Sequence, residues 1–455
     1  MTDSDYSRRT YLRRAAAASA IGMAGLAGCT SGGDGNNGNG SGGGNGSGGG
    51  SGNGSSGSGG GGSGAALEVL HGWTGGDGAD AVDKLTTMFE NQHPQVSANF
   101  RAIGGGGNVN LNSRVAQRLA NSDPPSSFAG WPGANLVQYD GVLMDIGSVW
   151  NQANLADTIV GPAAEASKFN GKYVTVPIGS HRLNNLYFNN QVVEEADVDP
   201  SSISDMDGFV SALKKVQQNT DKVPLSKGMK SPFLGIQFWV EVFLSEFGKQ
   251  AYTKYTQGNG DRSKVKQSLQ ATKPILENYI NQDASTIGYT EAAQKLINGE
   301  AAFMHNGNWV AGMFRAAEGF DFNDAWGWQA FPGTEQMYVF HLDSFIAPSN
   351  NPSPDATKTW EKFVGSKPAQ VQYNKRKGSV PVRTDVDGSK LGEYLEITYN
   401  DLVDAQDMPR TLAHGLAVPP ETLGNVKSAF GNNFMGPYQV DAAADALMQA
   451  VQGQS

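Results

Sequence analysis

The sequence holds a single cysteine, Cys29, among 455 residues. No intramolecular disulfide is possible, so the fold must stand on its apolar core alone. Histidine is nearly as scarce. The six, at positions 71, 93, 181, 305, 341 and 414, are spread along the chain with no close pair. With no second cysteine they form no zinc-ligand spacing, so neither a metal nor a cofactor is expected. Residues 103–108, IGGGGN, are rich in glycine but lack the Gly-Lys-Ser/Thr of a phosphate loop. No Gly-x-Ser-x-Gly elbow for a nucleophilic serine occurs. No run is apolar and long enough to span a bilayer, which takes about 20 residues. The formal net charge is −10, and residues 1–28 hold four Arg against two Asp, so the remainder is more acidic still. A basic face for nucleic acid is missing, and nucleic acid is not an expected partner.

What is present begins with an address. Residues 7–33 read SRRTYLRRAAAASAIGMAGLAGCTSGG. Arg8 and Arg9 open a cationic stretch, a short run of Ala and Gly follows, and Cys29 closes it. The front resembles a twin-arginine export signal, and Leu26-Ala27-Gly28-Cys29 resembles a lipobox, whose cysteine receives a lipid. From residue 31 to 64 the chain is Gly, Ser and Asn with one Asp. Such a stretch buries nothing and is expected to be a disordered tether, with a reach of roughly 30 Å for about 35 residues. The expectation is a signal over 1–28 and a lipid-anchored linker over 29–64. The lipid on Cys29 would then hold the body to the outer face of the cytoplasmic membrane.

From residue 65 strands and helices alternate. LEVLHGW (67–73) reads as a strand, and AVDKLTTMFENQHP carries Val82, Leu85, Met88 and Phe89 at helical spacing before Pro94 stops it. QVSANFRAI (95–103) alternates as the next strand, and NSRVAQRLANSDPPS gives another helix. This rhythm predicts an α/β fold with parallel strands. GKYVTVPIG (171–179) and WGWQAFPGT (326–334) are extended pieces, each carrying a proline. They predict two crossings between two lobes, near Pro177 and Pro332, so that 65–177 with 333–376 form one lobe and 178–332 with 377–455 the other.

These segments fall in an order that resembles the solute-binding proteins of carbohydrate ABC importers. KYVTVPIG is similar to a hinge strand of that family. AQKLINGEAAFMHNGNW (293–309) is similar to its helix, Gly turn, strand and Gly-x-Trp. Residues 341–385 resemble its strand, crossing helices and Gly-x-x-Pro turn, and AHGLAVPPET (413–422) resembles the glucose/galactose-binding members. The maltodextrin-binding proteins are more distant. Gly72 stands before Trp73 where many members have a second tryptophan, Ala129 and Trp131 replace polar groups, and Tyr289 replaces a common Trp. The resemblance implies a two-lobed periplasmic-binding-protein-like fold with two hinge crossings. It also implies a non-enzymatic, monomeric receptor that takes a neutral mono- or oligosaccharide and passes it to permease subunits driven by a separate ATPase subunit. A surface-tethered carbohydrate hydrolase using two carboxylates is the alternative.

A sugar offers C–H faces that stack on aromatic rings, each stack adding about 0.5–1.5 kcal/mol beyond its buried area. Its hydroxyls need directional partners, and a hydrogen bond to a charged group contributes about 1.5–3 kcal/mol. Trp73 ends the first strand at the turn where α/β folds bind ligands, with core packing as the alternative. Asp77 in the following Gly-rich turn reads equally as a ligand partner or a helix N-cap. Trp131 lies in a loop between Gly130 and Pro132. Trp309 opens a helix, and Tyr289 opens the one before it. Asp343 stands in an otherwise apolar strand and must be hydrogen-bonded, either to ligand or to hinge backbone. His181 and His414 read either as hydroxyl partners or as satisfied structural residues. Trp239, Phe243 and Trp360 lie on apolar helix faces and are expected in the core.

Overall fold

In the computed structural model, residues 65–104 and 108–452 are described, apart from the side chains of Gly76 and Asp77. The twin arginines, Cys29 and the Gly/Ser/Asn stretch lie outside the described residues. The strands that shape the site are β1 (Leu67–His71), β2 (Ala98–Ala102), β3 (Ser127–Gly130), β4 (Thr175–Arg182), β5 (Asn185–Asn189), β6 (Val223–Ser226), β7 (Ala301–Asn306), β8 (Trp326–Ala330) and β9 (Phe340–Ile346). They form two main sheets, one in the order β2-β1-β3-β9-β4 and the other β8-β5-β7-β6.

The first sheet follows the expected parallel rule only at its start. β1 pairs parallel with β2 and β3, whereas β9 runs antiparallel to both β3 and β4. The second sheet is mixed too, with β7 parallel to β6 and antiparallel to β5. The cause is the route of the chain. β4 leaves the first sheet and β9 re-enters it, and a strand that returns alongside its departing partner runs the other way. Pro177 lies inside β4 at the edge of its sheet, where a missing N–H costs no ladder bond. The passage to the second sheet therefore comes between Arg182 and Asn185, and the return between Ala330 and Phe340.

These two passages are tied together. The amide nitrogen of Asn184 donates to the carbonyls of Thr334 and Met337, and its oxygen accepts from the Val339 N–H and from Arg182. Arg182 is buried, donates to Met337 O and to Asp401, and lies over the ring of Trp328 at 4.8 Å.

The helices that carry site residues are α1 (Gly76–Gln92), α2 (Pro232–Thr256), α3 (Tyr289–Ile297), α4 (Trp309–Ala316) and α5 (Lys367–Lys377). Every residue of α2 from Leu234 to Leu244 is buried, so this half runs through the second lobe as a core helix, with Trp239 and Phe243 inside. Trp360 is buried too, edge-on to Phe89 and Phe345 in the first lobe. Trp326 faces the core beside Tyr394, while Trp328 is half-buried under Arg182. None of the described helices is long and apolar enough to cross a membrane.

Candidate functional site

A cleft of about 480 Å³ opens between the two sheets. From the first sheet its wall is built by the turn after β1, the loop after β3, and the facing strands β4 and β9. The end of α5, which packs on β4 through Gln370 and Asn374, joins this wall, and from the other side come the N-termini of α2, α3 and α4 and the segment around residue 414. Strand ends and helix N-termini meet here because each strand feeds its helix through a short turn, and those turns gather at one edge of each sheet.

Seven of the eight side chains singled out in the sequence line this cleft: Trp73, Trp131, His181, Tyr289, Trp309, Asp343 and His414. Asp77 falls in the first turn of α1, and its side chain lies outside the described residues. Trp73 packs edge-on against Phe345 and Tyr373, with centroids 5.8 and 5.6 Å away. Trp131 meets His341 and His414 edge-on at 5.1 and 5.2 Å. Trp309 is edge-on to His181, His414 and Tyr289. A Cβ at Gly307 would sit 2.0 Å from the Trp309 ring, so only glycine lets that ring take its place.

The polar floor centres on Asp343. β9 shifts register against β4 between Asp343 and Ser344, and such a bulge re-aims a side chain. Its carboxylate lies 3.2 Å from His181 Nε2 and 3.6 Å from His341 Nε2, and accepts from the Tyr373 hydroxyl at 3.4 Å. Burial alone would raise the Asp343 pKa. Hydrogen bonds from His181 and His341, with the field of Lys377, overcome it and hold the carboxyl well below the usual range. Burial pushes the His341 imidazole down to about 4 against the pull of Asp343. It also pushes His414 well below its ordinary value, helped by the fields of His341 and His181. Both rings are therefore neutral near pH 7, and each offers one donor and one acceptor. Trp309 Nε1 and His341 Nδ1 are buried without a hydrogen-bond partner.

The structure gathers residues that the sequence reading kept apart. His181, His341 and His414 are distant in the chain but adjacent in space, because β4 and β9 pair and residue 414 packs over them. Among the described residues no group of three or more acidic, histidine or cysteine side chains is arranged to hold a metal ion. His341 and Lys377 line the cleft without having been singled out. His341 had a signal: it stands two residues before Asp343, on the same face of a strand. Lys377 had none, since it reaches the cleft only through the packing of α5. A lone cation there is answered by Asp343, whose pKa it helps to depress.

Comparison with known proteins agrees with this architecture. Residues 84–394 match the family described as bacterial extracellular solute-binding protein. The chain is 53% identical over 454 residues to the xylose/arabinose-binding protein XacG of Haloferax volcanii, covering 99% of this chain and 98% of that one. It is 24% identical over 401 residues to a probable sugar-binding periplasmic protein of Rhizobium meliloti, covering 85% and 93%. Among solved structures a chitin oligosaccharide binding protein superposes with a TM-score of 0.74 at 18% identity, over 86% of this chain and 99% of that one.

Proposed function

The chain belongs to the bacterial extracellular solute-binding proteins and serves an ABC importer as a sugar receptor outside the cytoplasm; on that premise we propose that its cleft captures one neutral sugar ring, a pentose first of all. Closure of the two lobes on the ring then presents it to a membrane permease powered by a separate ATPase. One observation carries the reading: three tryptophans and a buried, hydrogen-bonded carboxylate line a single cleft between two sheets. Rings meet the C–H faces of a sugar, and Asp343 with the histidines meets its hydroxyls. The cleft volume suits a small ligand. Lys377 and Asp343 balance each other across the lining, which favours an uncharged sugar. The choice of pentose is supported by the 53% identity to a protein named for xylose and arabinose.

The receptor is tethered by a lipid on Cys29 after export by the twin-arginine route, and works as a monomer. Supporting the tether is the order of cationic pair, short apolar run, Leu-Ala-Gly-Cys and polar linker along residues 8–64. Thermal-shift titration across xylose, arabinose, glucose, galactose and their oligomers, with products assayed alongside, tests this reading. A saturable shift with one or a few pentoses and no product supports it. A released product would turn the reading to a hydrolase.

A further inference from the structure

Two polar atoms in the wall of the cleft lack a hydrogen-bond partner in the protein. Trp309 and His341 are 7% and 2% exposed, and among the described residues neither the indole Nε1 nor the imidazole Nδ1 finds one. Other buried side chains hold unpartnered atoms too, Gln237, Glu241 and Trp360 among them. Of all such side chains among the described residues, only Trp309 and His341 line this cleft. A buried donor or acceptor left unpaired is costly. A donor and an acceptor of this kind in one cleft point to a ligand that pairs them.

The chemistry of each atom is fixed by its neighbours. His341 Nε2 lies 3.6 Å from Asp343 Oδ1. A lone pair there would face a negative carboxylate, so the proton of the neutral ring sits on Nε2 and Nδ1 is left a bare acceptor. Turning the ring over would set Cε1–H against the carboxylate and give up that interaction, so Asp343 selects the orientation as well as the tautomer. The His414 ring stacks on the face of His341 at 4.0 Å, and Trp131 meets it edge-on at 5.1 Å, which holds the ring from two further sides. The indole of Trp309 can only donate. Its ring takes its place because Gly307 has no Cβ to obstruct it. A sugar hydroxyl supplies both complements, a hydrogen for Nδ1 and an oxygen for the indole N–H.

We propose that His341 is a specificity-determining residue whose Nδ1 accepts from one hydroxyl of the bound sugar, while the Trp309 N–H donates to a sugar oxygen, so that the cleft selects a ring whose hydroxyl at His341 is free. Hydrogen or a methoxy group at that position leaves Nδ1 unpaired, and a site built to pair a hydroxyl rejects an analogue without it far more strongly than an apolar pocket rejects a missing methylene. Trp309 is thereby a polar contact as well as a platform. The inference deepens the reading of the cleft as a sugar site and rests on it.

The test measures Kd of the full chain for D-xylose and L-arabinose and, of each, the derivatives deoxygenated or O-methylated at one hydroxyl. Wild type is compared with His341→Asn, whose amide oxygen can stand where Nδ1 does, and with His341→Phe, which keeps a ring but no acceptor. A further protein carries benzothienylalanine at Trp309, which keeps the bicyclic ring and has sulfur in place of the N–H. Melting curves without sugar report that each has folded. In wild type, loss of one particular hydroxyl should raise Kd about thirtyfold. In His341→Phe the parent sugar binds weakly and that loss shrinks to about threefold or less, and His341→Asn restores part of it. Benzothienylalanine should weaken the parent sugar about tenfold although the platform is kept. Sugar-free wild type labelled with ¹⁵N-histidine should show His341 protonated on Nε2 alone, and a proton on Nδ1 overturns the proposal whatever the variants do. Equal losses in wild type and His341→Phe, or wild-type affinity with benzothienylalanine, overturn it while leaving the sugar site standing. If no sugar of the panel binds wild type, the reading of the cleft falls, and this proposal with it.

Discussion

The imidazole rings of His341 and His414 stack with centroids 4.0 Å apart and planes 23° from parallel. Two cations could not share that contact, and burial keeps both rings neutral, His341 down to a pKa of about 4 and His414 well below its ordinary value. In the unfolded chain both titrate near 6.5. A histidine depressed in the fold contributes stability in full above its unfolded pKa and loses it as pH falls toward the folded one. Stability is therefore expected to drop between about pH 6.5 and 4, with each ring adding a slope of up to about 1.4 kcal/mol per pH unit. Urea denaturation at a series of pH values checks this. The slope should shrink in His414→Gln, and an unchanged slope would mean the stack does not govern it.

Gly307 offers a way to disturb the site without touching a ligand-facing side chain. Its substitution by alanine drives a methyl into the Trp309 ring, 2.0 Å from where a Cβ would stand. The ring must swing, so Gly307→Ala should lose sugar affinity nearly as much as removal of the ring does. Calorimetric titration checks it, and wild-type affinity in this variant would show that the ring's position is immaterial.

Trp309 and Asp343 should fail in different ways. Trp309→Leu removes a platform and should weaken binding by about 2 kcal/mol, roughly thirtyfold in Kd. Asp343→Asn keeps the shape but removes the charge that His181 and His341 face. It should weaken binding similarly and also lower the melting temperature, because the buried donors that face the carboxylate lose their charged acceptor. Melting curves beside titrations separate the two. Equal affinities in wild type and both variants would place the sugar elsewhere.

Much of this site was legible because its residues break local patterns. Trp131 in a Gly-Trp-Pro loop, Trp309 after a Gly turn and Asp343 in an apolar strand are each anomalous where they stand, and all three line the cleft. The part that was not legible depends on pairing across long stretches of chain. Nothing near His181 or His414 announces that β4 and β9 will bring His341 between them. The antiparallel run of β9 was hidden for the same reason, since helix and strand rhythm carries no direction. The proline-carrying extended piece around Pro177 was read as a crossing between lobes, yet an edge strand accepts a proline equally well.

The address can be checked in cells. Cys29→Ser should export normally but release the protein from the membrane fraction, and paired Arg8→Lys and Arg9→Lys should leave it inside. Fractionation and immunoblotting distinguish these outcomes. A Cys29→Ser protein that stays on the membrane would contradict the lipid tether.

The central claim, that a sugar is gripped between the lobes by stacked rings and one buried acid, is tested most directly by a crystal structure of the protein grown with D-xylose or L-arabinose. The account predicts one sugar ring lying among Trp73, Trp131 and Trp309, with hydroxyls within about 3 Å of Asp343 and a neighbouring histidine. A sugar bound away from this cleft, or a cleft still lacking one at saturating concentration, would contradict it.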